Sequence, residues 1–343
     1  MDVFSPKERL LRVLRKEGTD RPPVICPGGM MNAAVVEVME KNGHTLPAAH
    51  HEGGLMGDLA GDVYEQTGFE NFGLPFCMTI EAEALGSVVD YGSLGCEPKI
   101  SREAFSSVGE LREEPPGIIQ KNRRAEAVIN AVHRLSKQYP DVPVIGSVSG
   151  PLSTAASIVD PMTFLKELRR DKEGAHRVLD YVTDRLIEYA KLIAENGAAV
   201  ISIADPTATG EILGPRLFGE YALPCINRIA DAVHVLGLPV IVHICGELRM
   251  VRDGLAALRG DALSVDAFVN LGALKREAGI ETTMGNLSTY MLEFGNPEKI
   301  SAAAGGLFKN DVDIFAPACG LSTSTPLANI TAFTGAVKDT EAL

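Results

Sequence analysis

The apolar positions of this chain fall into two alternating patterns: stripes recurring every three or four residues, and short unbroken runs rich in β-branched residues. The first kind predicts amphipathic helices and the second predicts buried strands. Near the start, Ser5-Pro6 offers an N-cap with proline at the first helical position, and Leu10, Leu11, Val13 and Leu14 form a stripe that Gly18 ends. Residues 1–20 are therefore expected to make an N-terminal helical cap. Pro22-Pro23-Val24-Ile25-Cys26 predicts a first strand, opening into the loop Pro27–Asn32. Residues 33–70 read as mostly helical, broken at Gly53-Gly54. Two more strands are expected in 72–77 and 84–91, around a loop carrying Glu81 and Glu83, and the Glu- and Pro-rich residues 97–117 as an excursion over the surface.

From residue 118 the alternation becomes regular. Strands are expected at 142–147, 199–203, 240–245, 262–266, 281–286 and 312–316. Between and after them come helices at about 118–138, 172–195, 215–236, 249–258 and 270–278, and from Pro297 and Pro326. Such alternation means βαβ units and a parallel sheet. Seven or eight units predict a fold of class α/β, a closed (β/α)8 TIM-type barrel, in a single domain over residues 1–343. Barrels of this kind place their site at the C-terminal rim. The residues expected there are Ser149, Asp205, His243, Cys245, Asp266, Asn286 and Cys319. No glycine-rich phosphate loop follows any strand, so nucleotide chemistry has no support.

Two segments carry the candidate chemistry. In Val240–Glu247 a β-branched run ends with His243 and Cys245 two residues apart, which puts both side chains on one face of a continuing strand. In Ile314–Gly320 a second apolar run ends with Cys319 and a glycine, 74 residues after Cys245. That spacing is too long for a small zinc module and suits two staves of one barrel. His243, Cys245 and Cys319 are read as three ligands of a zinc ion that keeps its fourth position for substrate. Singly, each also fits a blander role, a hydrogen-bonded strand-end histidine or a buried thiol. The loop Gly28-Gly29-Met30-Met31 combines backbone freedom with a soft apolar surface, or is a turn with packed methionines. His50-His51 is expected to be a solvated pair in a polar turn.

Composition narrows the partners. The chain has 343 residues, 45% of them hydrophobic, and a net charge of −13, which disfavours nucleic acid and anionic membranes. No apolar run is long enough for a membrane span and no signal-peptide pattern opens the chain, so a cytoplasmic protein is expected. Six irregularly spaced cysteines look like reduced thiols and metal ligands rather than a disulfide framework.

Ile25–Asn32, His243-Ile244-Cys245-Gly246, Pro317-Ala318-Cys319-Gly320 and Thr325–Ile330 together resemble the methylcobamide:coenzyme M methyltransferases. These form the methyltransferase branch of the uroporphyrinogen decarboxylase superfamily, and the likeness covers nearly the whole chain. The resemblance implies that His243, Cys245 and Cys319 bind Zn2+, and that a methyl group passes from a methylated corrinoid to a thiol, coenzyme M, by attack of the zinc-bound thiolate. It implies a separate corrinoid protein as a transient partner docking over the barrel mouth, since no corrinoid-binding segment is present here. Met30, Met31 and Asn286 are the residues expected to meet the cofactor. Asp266 is expected either to hold the fourth zinc position in the resting enzyme or to cap the next helix. Asp205 and Glu83 are expected to orient His243 or to structure their loops.

Three rivals stand beside it. A uroporphyrinogen decarboxylase needs an arginine-rich loop after the first strand, and Pro27–Met31 has no positive charge. Tetrahydrofolate or another thiol could replace coenzyme M, because the rim loops 149–153, 204–214, 245–248, 266–270 and 285–289 contain no Lys or Arg for a sulfonate, leaving backbone N–H groups or Arg249. A non-catalytic zinc scaffold would need a fourth strong ligand, which Asp266 could supply.

Overall fold

The computed structural model describes residues 3–339. Seven parallel strands form a curled sheet with helices packed outside it, a TIM-like α/β arrangement. In chain order the strands are β1 (Phe72–Leu74), β2 (Val88–Asp90), β3 (Lys99–Arg102), β4 (Val144–Ser149), β5 (Val200–Ala204), β6 (Val240–Ile244), β7 (Ala262–Val265), β8 (Thr283–Leu287) and β9 (Ile314–Pro317). The main sheet runs β1-β4-β5-β6-β7-β8-β9, and β2 and β3 pair antiparallel as a separate hairpin. Residues 23–26 run between the two edges of the sheet: Ile25 N–H donates to Phe315 O at 2.9 Å, and Glu70 N–H to Val24 O at 2.9 Å.

Period-two alternation sorts the side chains. Val240, Val242 and Ile244 point outward into the core shared with the helices. Ile145, Val200, Ile241, Met284 and Ile314 point inward, where they pack with Leu10, Val13 and Leu14 of the helix Pro6–Leu14. That helix starts as its sequence predicts, with Ser5 Oγ accepting the Glu8 N–H at 3.2 Å, and it fills the N-terminal end of the sheet. Burying each leucine there contributes roughly 1.5–3 kcal/mol. Beside it lies a closed charge network: Arg9 bonds Asp20 and Glu70, and Arg21 bonds Glu70. The Arg9 guanidinium holds the Asp20 carboxyl well below the ordinary aspartate range.

Several expected elements differ. The first strand is reduced to one parallel bridge, Val24 to Phe315, because Pro22 and Pro23 have no N–H to donate. Residues 80–84, the loop expected to carry Glu81 and Glu83, are a short helix, and only 88–90 of the strand that was to follow pair as β2. The excursion contains β3. The helix expected at 215–236 is two helices, Gly210–Leu217 and Leu223–His234, joined by a π turn; Gly214 at φ 64° and Pro215 kink the first. The helix expected at 249–258 shrinks to a 3-10 turn and the four residues Arg252–Leu255.

Candidate metal centre

Strand β6 carries His243 to the inner face, two residues above Ile241, and the chain leaves the strand with Cys245 continuing inward. Cys319 arrives from the other direction. After Pro317 ends β9, Ala318 N–H donates to Leu287 O at 2.8 Å, and this turn sets the next side chain over the mouth. The three donor atoms meet: His243 Nε2 lies 2.9 Å from Cys245 Sγ, which lies 3.2 Å from Cys319 Sγ. All three fall within 4.8 Å of one another, the histidine fully buried and both thiols half-buried.

The protonation of the pair follows from that contact. Either sulfur can donate across the Cys245–Cys319 contact; with the hydrogen on Cys245, that bond lowers the Cys319 thiol below its ordinary range, His243 adding to the effect, and raises Cys245. One imidazole nitrogen and two sulfurs are the donor set borderline-soft zinc prefers. Tetrahedral zinc at about 2.3 Å from sulfur and 2.0–2.1 Å from nitrogen needs donor separations of about 3.6–3.8 Å, so Cys245 needs to part from His243 and from Cys319 by only about 0.6–0.7 Å. The residues fit the ion.

His243 is oriented by a residue that sequence reasoning missed. Its Nδ1 lies 2.8 Å from Ser264 Oγ, which leaves Nε2 facing the sulfurs. Ser264 stands directly opposite His243 in the β6–β7 register, so the signal was a polar residue on the inner face of the neighbouring stave. Asp205 meets His243 through the backbone alone, its N–H donating to His243 O at 2.9 Å, and its side chain makes no bond to the ring. Its carboxylate accepts the Leu152 and Ser153 N–H groups at 3.0 and 2.9 Å and caps the helix Pro151–Ile158, and burial pushes its pKa up to about 6. Glu83 is likewise elsewhere, paired with Arg124 at 2.9 Å.

Asp266 lies outside the three-residue cluster, yet near enough for its charge to help raise Cys245. Its oxygens accept Ala267 N–H at 2.6 Å and Gly246 N–H at 3.4 Å; Asn270, not Asp266, caps the next helix. Asn286 spends its amide N–H groups on Asp266 O and Val269 O, so it braces the rim loop rather than offering donors to a ligand. Met31 is buried in the inner core, whereas Met30 is half-buried against Gly320, beside Cys319. His50 is fully buried rather than solvated, with neither ring nitrogen hydrogen-bonded.

The profile of the uroporphyrinogen decarboxylase (URO-D) family matches residues 5–340. The chain belongs to that family. A methylcobamide:CoM methyltransferase of Methanosarcina acetivorans is 32% identical over 332 residues, covering 96% of each chain. Another, from Methanosarcina barkeri, is 30% identical over 340 residues, 98% of each. A uroporphyrinogen decarboxylase of Myxococcus xanthus is 27% identical over 258 residues, 70% of this chain and 69% of the other. Among solved structures, a methyltransferase from Methanosarcina mazei superposes with a TM-score of 0.90 at 28% identity, covering 98% of this chain and 99% of that one. The resemblance to the methylcobamide:CoM methyltransferases is thus met over nearly the full length of the chain.

Proposed function

We propose that this protein transfers a methyl group from a methylated corrinoid, carried by a separate protein, to the thiol of coenzyme M. The observation that carries the proposal is the convergence of His243 Nε2, Cys245 Sγ and Cys319 Sγ at the mouth of the sheet, in a chain whose full-length relatives bear that activity in their names. Zinc held by these three side chains would lower the pKa of an acceptor thiol and leave it nucleophilic at neutral pH. The acceptor sulfur forms its new bond to the methyl carbon as the cobalt–carbon bond breaks, and the electron pair stays with the corrinoid as cob(I). Ser264 bonds His243 Nδ1 and so orients the ring with Nε2 toward the sulfurs, and the turn braced by Asp266 and Asn286 holds Cys245 in place. Asp266 is the reserve ligand we assign to the thiol-free state.

A different acceptor is the second candidate, on one observation. Arg249, the cation nearest in sequence to Cys245, is already held by Glu247 at 2.7 Å and so is not free to meet a sulfonate. Methylcobalamin offered with coenzyme M or with tetrahydrofolate, before and after zinc chelation, decides. Cob(I)alamin is expected with coenzyme M and to vanish on chelation; a rate indifferent to chelation overturns the zinc role. We also take residues 23–26 as the eighth stave of a closed barrel, the helix Pro6–Leu14 as its cap, and residues 1–343 as one domain. Among the described residues no helix is long and apolar enough to cross a membrane. Six unpaired cysteines fit a reducing compartment, and we place the protein in the cytoplasm.

A further inference from the structure

The helix Pro6–Leu14 fills the end of the sheet opposite the cysteines, with Leu10, Val13 and Leu14 seated among Ile145, Val200, Ile241 and Ile314. A corrinoid, far bulkier than a thiol, therefore has one approach, over the C-terminal rim. Four successive connections of that rim, after β5, β6, β7 and β8, carry large apolar side chains into solvent. They are Ile212, Met250, Phe268, Tyr290 and Phe294, of which the last four are 63–73% exposed. Tyr290 and Phe294 pack on each other with ring centroids 4.8 Å apart. Beside Phe268 a groove of about 500 Å³ runs between residues 247–252 and the helix Leu271–Ala278, floored by Leu248, Val269 and Leu274.

Exposed aromatics and methionine gathered on one face are the composition of an interface, not of an ordinary solvated surface. The border of the crescent is acidic. Its arginines are internally neutralised, Arg249 by Glu247 and Arg252 by Glu277, whereas Glu211, Asp253 and Glu293 have no cation partner among the described residues. A surface complementary to it has an apolar centre and a basic edge.

We propose that the crescent from Ile212 through Met250 and Phe268 to Tyr290 and Phe294 is the docking face for the protein that carries the methylated corrinoid. The assignment rests on the methyl-transfer function proposed above, and it adds where the donor sits and what charge its contact surface bears. Docking there brings the donor beside Cys245, which lies on the same connection as Met250 and meets Cys319 Sγ at 3.2 Å.

The test compares two methyl donors, free methylcobalamin and a methylated corrinoid protein purified from Methanosarcina barkeri, with coenzyme M as acceptor. The double variant Phe268→Asp/Tyr290→Asp is expected to use methylcobalamin as the wild type does, while its KM for the corrinoid protein rises more than about 10-fold. Glu211→Lys/Asp253→Lys is expected to slow reaction with the protein-bound donor alone and to flatten its salt dependence. Equal behaviour of wild type and variants toward the corrinoid protein, or equal losses with both donors, overturns the docking face and leaves the activity standing. A wild type that moves no methyl group from methylcobalamin overturns the activity itself, and the docking face with it.

Discussion

The two ends of the sheet solve opposite problems. At the N-terminal end the buried charges are matched: Arg9 and Arg21 share Glu70, Asp20 closes the set, and Leu10 and Leu14 exclude water. At the C-terminal end polar atoms are left in need. His243, Cys245 and Cys319 crowd one point, with the two sulfurs 3.2 Å apart, and beyond the end of β1, where Arg124 bonds Cys77, Nε of Arg124 and the ring of His50 are buried without a hydrogen-bond partner among the described residues. Stability is invested at the base, and reactivity is held at the rim. Substitutions at the two ends should therefore separate cleanly in what they cost.

The largest separation is expected at Cys319. Cys319→Ser should abolish methyl transfer and lower zinc affinity by more than about 100-fold, read by metal content after dialysis, with thermal unfolding of the metal-free protein little changed. A variant that kept its zinc would break the contrast by showing that the other side chains suffice. Glu70→Ala is the mirror experiment: it removes the carboxylate that two buried guanidinium groups share and should cost about 3–5 kcal/mol in denaturant unfolding, while purified protein still binds zinc. Loss of zinc in that variant would show that the base governs the rim.

Acid sharpens the same contrast. Burial, with the Arg124 charge behind it, holds the pKa of His50 down to about 3. The folded protein therefore stays neutral at this site where the unfolded chain, with a histidine pKa of about 6.5, takes up a proton. Stability contributed by this group is present above about 6.5 and is lost as pH falls toward 3, up to on the order of 4 kcal/mol. His50→Phe should flatten that part of the pH profile of unfolding; an unchanged profile would mean that the ring is solvated. The smallest effect is expected at Ser264. Ser264→Ala removes the partner of His243 Nδ1 and should weaken zinc binding about 10–100-fold without altering the fold, measured by competition with a chromophoric chelator.

Strand-to-helix order was legible because burial on both faces of a parallel strand demands unbroken β-branched runs, and those runs stand out in the chain. The convergence of His243 and Cys245 was legible for a similar reason, since a spacing of two selects one face of a strand. Cys319 was less direct. It lies beyond Pro317, past the end of β9, so its aim depends on a turn and not on strand parity. Asp205 and Asn286 were expected at the rim, but the sequence left their roles open, because a polar side chain at a strand end serves equally well as a ligand contact, a helix cap or a loop brace.

By itself the sequence determined the layering of this protein and the identity of its three soft donors, because periodicity and residue chemistry act within a few neighbours along the chain. Only the tertiary structure decided that the Ser264 side chain rather than that of Asp205 steadies the His243 ring, that the far end of the sheet is filled, and that five large apolar side chains on the rim connections stay exposed. Those outcomes depend on which staves lie side by side and how each turn leaves its strand, and such distances are set by the packing of segments remote from one another in sequence.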